Sequence, residues 1–203
     1  MASLNNQKTL RLVELALLVA IEILLSFTPL GYLRVGVIEI TFMTIPVAVA
    51  AIMVGPIESM IVGAVFGITS FIQCFGMSPF GVAMMAVSPI GALTVCLLPR
   101  ILMGLFAGLI FRALSKKNPR SFPAALVTSF SAAALNTILF VSLFFLLFHN
   151  ASFAIGEATI DFSGMNIFDL LVFLAGINGL VEAGVCTVVG TAIGKPLLHL
   201  RKF

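Results

Sequence analysis

The chain is predicted to be an all-α integral membrane protein: a bundle of about six transmembrane helices, with both termini cytoplasmic. Three observations carry that prediction. The first is composition. Of 203 residues, 61% are hydrophobic and only 9% are charged, against about 25% charged in ordinary soluble domains. With a mean hydropathy of +1.21, the chain has too few charges to cover a water-facing surface, so lipid must solvate it. The second is run length, since a hydrocarbon core of ~30 Å takes roughly 20 apolar residues per helix. The third is where the basic residues fall. Net charge is +3, but the Lys and Arg residues cluster between apolar runs, which is topology information and not a nucleic-acid patch.

Taken in order, the spans run from Leu10 to Leu30, Ile40 to Val54, Ile57 to Phe75, Ile90 to Leu114, Pro123 to Phe148 and Phe168 to Leu198. They form one transmembrane domain over 1–203, because no linker-like stretch divides the chain. The N-terminal segment enters span one without a small-residue cleavage site and reads as a retained helix. The second span is short and is expected to be partly buried in protein or to end within the membrane. Gly55-Pro56 then makes a tight turn, with glycine closing one helix and proline opening the next. Lys8 and Arg11 precede span one. Arg112, Lys116, Lys117 and Arg120 follow span four, and Lys195, Arg201 and Lys202 close the chain. Six spans put all three groups on one side, which the positive-inside rule makes cytoplasmic. Segments 31–39, 76–89 and 150–169, which hold Glu39, Glu157, Asp161 and Asp169 with Arg34, then face outside.

Within the spans, small residues recur four apart at Ala16/Ala20, Gly63/Gly67, Gly104/Gly108 and Gly190/Gly194. This spacing lets backbones approach closely in lipid. For the glycine pairs the expectation is internal packing, whereas Ala16 and Ala20 suit docking of another membrane subunit equally well. Ionisable groups at membrane depth imply a role or a partner, and Glu22, Arg100, Glu182 and the more peripheral Glu58 stand out. Glu22 lies some 200° around the helix from Ala20. Arg100 follows Pro99, which frees backbone carbonyls to line a cavity. Asn136 sits mid-span in the fifth helix, and Asn178 and Glu182 lie one turn apart in the sixth. Two readings stand side by side: an outward-facing pocket, or a structural network in which Arg100 pairs with Glu22 or Glu182. Cys74, Cys96 and Cys186 lie in apolar runs without CxxC spacing and read as small buried residues.

No catalytic pattern is present. His149 and His199 are the only histidines, and HExxH, GxSxG and GxxxxGK[ST] are all missing. The chain is not expected to be an enzyme, to hold a metal or cofactor, or to hydrolyse ATP itself. Asn150-Ala-Ser152 matches a glycosylation sequon, a three-residue pattern of low specificity.

Several motifs in order resemble one family: Ala16-Leu-Leu-Val-Ala20, Ile40-Thr-Phe-Met-Thr-Ile-Pro-Val47, Gly55-Pro56, Phe66-Gly-Ile-Thr-Ser70, Leu98-Pro-Arg-Ile-Leu-Met-Gly104 and the Asn178-to-Glu182 segment. Over nearly its whole length the chain resembles the substrate-binding (S) components of energy-coupling factor (ECF) vitamin transporters, in the branch of pantothenate, riboflavin and folate carriers. The resemblance implies a multi-pass subunit of a bacterial cell membrane that binds a vitamin near the outer face beneath two loops. It further implies partnership with a scaffold membrane subunit and two ATPases, with Ala16 and Ala20 as the docking surface for the scaffold. The family's cobalt and nickel members carry an N-terminal histidine arm, which Met1-Ala-Ser-Leu4 lacks. Among vitamins, a flexible anion such as pantothenate calls for a cation and amide partners, which Arg100, Asn136 and Asn178 supply, with Glu182 orienting them and Arg34 as an alternative cation. Arginine suits a carboxylate because its planar fork bonds both oxygens. With no tryptophan, one tyrosine and 19 phenylalanines, the order is pantothenate, riboflavin, folate. The rival from another class is a structural or assembly membrane protein whose polar residues only lock the bundle.

Overall fold

In the computed structural model the described residues are 2–29, 31–35, 38–116, 118, 121–155, 158–162, 164–174 and 176–200; side chains are not described for 2–7, 32–35, 38–40, 155, 158, 177, 178 and 198–200. Lys117, Arg120, Glu157, Arg201 and Lys202, part of the expected charge asymmetry, lie outside the described residues.

The chain begins with α1 (Ala2–Ser26) and a hairpin of β1 (Tyr32–Val35) with β2 (Ile38–Thr41). Next come α2 (Thr44–Met53), α3 (Pro56–Gln73), α4 (Pro79–Val87), α5 (Pro89–Leu114) and α6 (Phe122–Phe148). A second hairpin of β3 (Ser152–Ile155) with β4 (Ala158–Asp161) leads to α7 (Ile167–Leu174) and α8 (Gly176–Leu200). Both hairpins are antiparallel, with Arg34 opposite Glu39 in the first and Phe153 opposite Ile160 in the second. The helical bundle is therefore closed at one end by two small hairpins, α4 and α7, a feature the all-α expectation lacked.

Four helical segments among the described residues are long and apolar enough to cross a membrane: α3, α5, α6 and Gly179–Leu197 of α8. α1 has the length, but Arg11, Glu14 and Glu22 interrupt its apolar character. α2 has 10 residues and spans only about 15 Å. All of it except Ile45 is buried, so protein rather than lipid surrounds it and the bilayer does not set its length. The expected single span from Phe168 to Leu198 is corrected: it is two helices, broken before Gly176, whose φ of +31° favours glycine. Segment 76–89, expected as a loop, contains α4. Ser78 and Ser88 each accept a backbone N–H three residues on, at 3.3 and 3.2 Å, with proline following each as first helical residue. The first cap starts a nine-residue helix where a plain connection was expected, and the second opens the long α5 at the start expected for span four.

Glycines draw the central helices together. A Cβ at Gly63 would collide with the Arg100 carbonyl, and one at Gly104 with the Ser59 carbonyl. Ser59 Oγ also donates to the Gly104 carbonyl at 2.7 Å, pinning α3 to α5. Gly190 and Gly194 likewise admit Ser129 and Ile52 against α8. The glycine pairs thus serve internal packing, as expected. Between α2 and α3, Gly55 has φ +144°, a conformation closed to side-chain-bearing residues, and this permits the tight turn.

Candidate functional site

Pro99 lies inside α5 and has no N–H to give to the carbonyl four residues earlier, that of Val95. The neighbouring side chain supplies the missing donor: Arg100 Nη1 bonds Val95 O at 2.6 Å. The guanidinium is then held between two rings, with its carbon 5.2 Å from the Phe66 centroid and 4.8 Å from that of Phe140. Two cation–π faces hold the half-buried guanidinium more firmly than one would. Arg100 Nε is buried and has no hydrogen-bond partner among the described residues. The proline thus creates an acceptor, the arginine fills it, and part of the guanidinium fork is left unused.

Across from Arg100, Asn136 on α6 donates through Nδ2 to Glu182 Oε1 on α8 at 3.1 Å, and both residues are buried. Asn136 Oδ1 is buried without a partner among the described residues. Thr44, at the start of α2, is fully buried, with its hydroxyl beside the Glu182 carboxyl and the Cys186 thiol. Such polar atoms are costly in a protein interior unless something satisfies them.

Arg100, Asn136 and Glu182 line one cavity of about 170 Å³ beneath the hairpin end. That is more than ten times the ~10–15 Å³ a single water needs, so the space is no packing defect. Its wall draws on α3 (Phe66, Ser70, Gln73), α4 (Phe80, Met84), α5 (Cys96, Arg100), α6 (Asn136, Phe140) and α8 (Gly179, Glu182), with Ile160 of β4 and Phe173 of α7. Above it, Phe80, Phe144, Phe148, Phe153 and Phe162 pack ring against ring, at centroid distances of 5.2–6.0 Å. Phe153 and Phe162 flank the β3–β4 turn and are almost wholly buried, so they anchor that hairpin over the cavity.

Of the two pairings in the structural-network reading, neither Arg100–Glu182 nor Arg100–Glu22 forms a direct ion pair among the described residues, although Arg100 lies close enough to Glu182 to act on it through charge. Glu22 is fully buried in the apolar core, away from the cavity wall, with both carboxyl oxygens lacking a hydrogen-bond partner among the described residues. Ala16 and Ala20 lie on the exposed side of α1, so the two faces of that helix divide as expected. The side chains of Asn178 and Arg34 lie outside those described. Asn178 belongs to α8, next in sequence to the wall residue Gly179, and Arg34 belongs to β1. Sequence reasoning missed Gln73 and Ser70. Gln73 lines the cavity while its Nε2 donates to the Ser26 carbonyl at 2.6 Å, linking α1 to the wall. The signal available was their spacing: Phe66, Ser70 and Gln73 fall on one helical face.

A family model described as "ECF transporter, substrate-specific component" matches residues 10–194. A search of the curated proteins found no match.

Proposed function

The chain belongs to the ECF transporter substrate-specific component family, and from that premise we propose that it captures pantothenate in the cavity around Arg100 for import. The family is one of membrane transporter subunits that bind small molecules and work with a scaffold and ATPases, not a family of enzymes. The observation that carries the vitamin assignment is Arg100. It is a cation fixed in the cavity wall by Val95 O and two rings, with Nε without a partner among the described residues. A carboxylate bonded to that fork gains charge-assisted hydrogen bonds in a dry site. Asn136 Oδ1 and Glu182, with Asn178 from the same helix, supply acceptors and donors for the amide and hydroxyls at the other end of pantothenate.

The phenylalanines around the cavity favour riboflavin as a second reading, because a flavin ring stacks on aromatic faces. Four observations weigh against it. Phe66 and Phe140 are covered by Arg100, Phe80 packs on Phe144 and Phe153, and Phe173 packs on Phe162. Folate ranks third, since its glutamate tail has two carboxylates and Arg100 is the single cation among the described wall residues. A purely structural role leaves the cavity without a purpose.

In this reading α1, α2, α3, α5, α6 and α8 form six spans of a bacterial cell membrane, with α2 sheltered in protein. Lys8, Arg11, Arg112, Lys116 and Lys195 mark the cytoplasmic end, so the hairpin end faces outward and receives the vitamin. Ala16 and Ala20 present small residues to the scaffold subunit, and two ATP-binding subunits supply the energy this chain cannot. Mass spectrometry of small molecules released from the purified chain tests the assignment: pantothenate is expected, while a flavin or a pterin in its place would overturn it.

A further inference from the structure

The cavity wall holds a second chemically distinct feature. Cys74, at the C-terminal cap of α3, and Cys96, on α5, have their sulfurs 3.7 Å apart, and both residues line the cavity. Cys96 is one helical turn before Arg100. Packing confines the Cys74 sulfur: a Cβ at Gly81 of α4 would lie 2.8 Å from it, and the Ser70 carbonyl accepts from it at 3.4 Å. We propose that Cys74 and Cys96 are a redox-convertible thiol pair, closed to a disulfide by a peroxide-class oxidant that enters through the cavity and reopened by a thiol reductant.

Geometry supports closure. A disulfide is about 2.05 Å long, so the two sulfurs must approach by about 1.6 Å, and the backbone has give on both sides. Cys74 ends a helix and opens a turn. Cys96 lies in the stretch where Pro99 removes one rung of the α5 ladder. Access is through the cavity, because Cys74 and Cys96 are only 4% and 3% exposed. A cavity of about 170 Å³ admits hydrogen peroxide readily. The hairpin end is also the one the proposed orientation turns outward, away from the reductants that keep cytosolic thiols reduced.

The chemistry balances. One sulfur attacks the peroxide, an S–O bond forms as the O–O bond breaks, and the first water leaves. The second sulfur attacks the resulting sulfenic acid, an S–S bond forms as the S–O bond breaks, and the second water leaves. Two thiols are oxidised and one peroxide is reduced to two waters. Closure draws α5 toward the end of α3 within one turn of Arg100, so it reshapes the wall of the binding cavity.

The third thiol is a control within the same chain. Cys186 donates to the Ser129 carbonyl at 3.3 Å in the seam between α6 and α8 and is absent from the cavity lining. The test treats the purified full chain, reconstituted in lipid nanodiscs, with hydrogen peroxide. Thiols are then counted after denaturation, and disulfide-linked peptides are mapped by mass spectrometry. The count is expected to fall from three to one, with a Cys74–Cys96 link, a loss of two hydrogens and Cys186 still reduced; dithiothreitol restores all three. Cys74→Ser should yield no disulfide under the same treatment. Three surviving thiols in the wild-type chain, or a link that involves Cys186 or joins two chains, would overturn the proposal. Because the readout is a thiol count, it stands whatever vitamin the cavity binds.

Discussion

Cys96, Arg100, Gly104 and Gly108 follow one another at steps of four along α5, yet the two halves of this stripe meet different surroundings. At Gly104 and Gly108 the face is sealed: the Ser59 carbonyl and the Pro56 Cα of α3 occupy the space where side chains would stand. At Cys96 and Arg100 the α5 carbonyls press on Gly67 and Gly63, while the two side chains turn into the cavity. The glycine seam and the polar site are therefore two parts of one arrangement. Close backbone packing fixes α5 against α3 without using the side chains of its upper half, which leaves them available to the cavity. Without a hydrophobic drive between helices in lipid, such contact is the main source of cohesion.

Breaking the seam should have the largest effect. Gly104→Leu forces α3 and α5 apart at the backbone, and about 3 kcal/mol or more of stability is expected to be lost. Thermal unfolding in detergent reads this out; a near-normal transition would mean that the seam is looser than it looks. Next is Arg100→Lys, which keeps the charge but loses the planar fork and its reach to Val95 O. Pantothenate binding should weaken roughly a hundredfold, about 2–3 kcal/mol, with a smaller loss of stability. An equal loss in both would merge the two halves of α5 into a single structural role. Asn136→Ala removes the donor to Glu182, and calorimetry is expected to show binding weaker by about tenfold or more. Smallest is Ala16→Trp: because the residue is exposed on α1, binding to the isolated chain should change by no more than about twofold. Uptake in cells carrying the whole transporter should nevertheless collapse. If binding fell as well, that face would belong to the internal packing.

The charged and amide residues at depth were the most legible part of the site, because ionisable groups in apolar runs are conspicuous and helical spacing fixes their faces. Arg100, Asn136 and Glu182 were read in this way and do share a cavity. The glycine pairs were equally legible. Gln73 and Ser70 were not, since neutral polar residues near a helix end are ordinary and their importance depends on α1 and α4 arriving beside them. Nor was the break between α7 and α8, where apolar character continues up to Leu174 and only Gly176 punctuates the run. The Ser78-Pro79 pair signals the start of α4 inside an expected connection, whereas Ser88-Pro89 opens the span expected from Ile90. The Cys74–Cys96 contact joins residues 22 apart on two helices, a relation that no local spacing encodes.

Binding of the vitamin's carboxylate by Arg100 is tested by comparing two ligands on the unaltered protein. Pantothenate and panthenol differ in that panthenol carries an alcohol in place of the carboxylate. Isothermal titration of the purified chain with each ligand reads the value of that one group. Pantothenate is expected to bind at least about a hundredfold more tightly, because panthenol forfeits the charge-assisted hydrogen bonds to the Arg100 fork. Equal affinity for the two would contradict it.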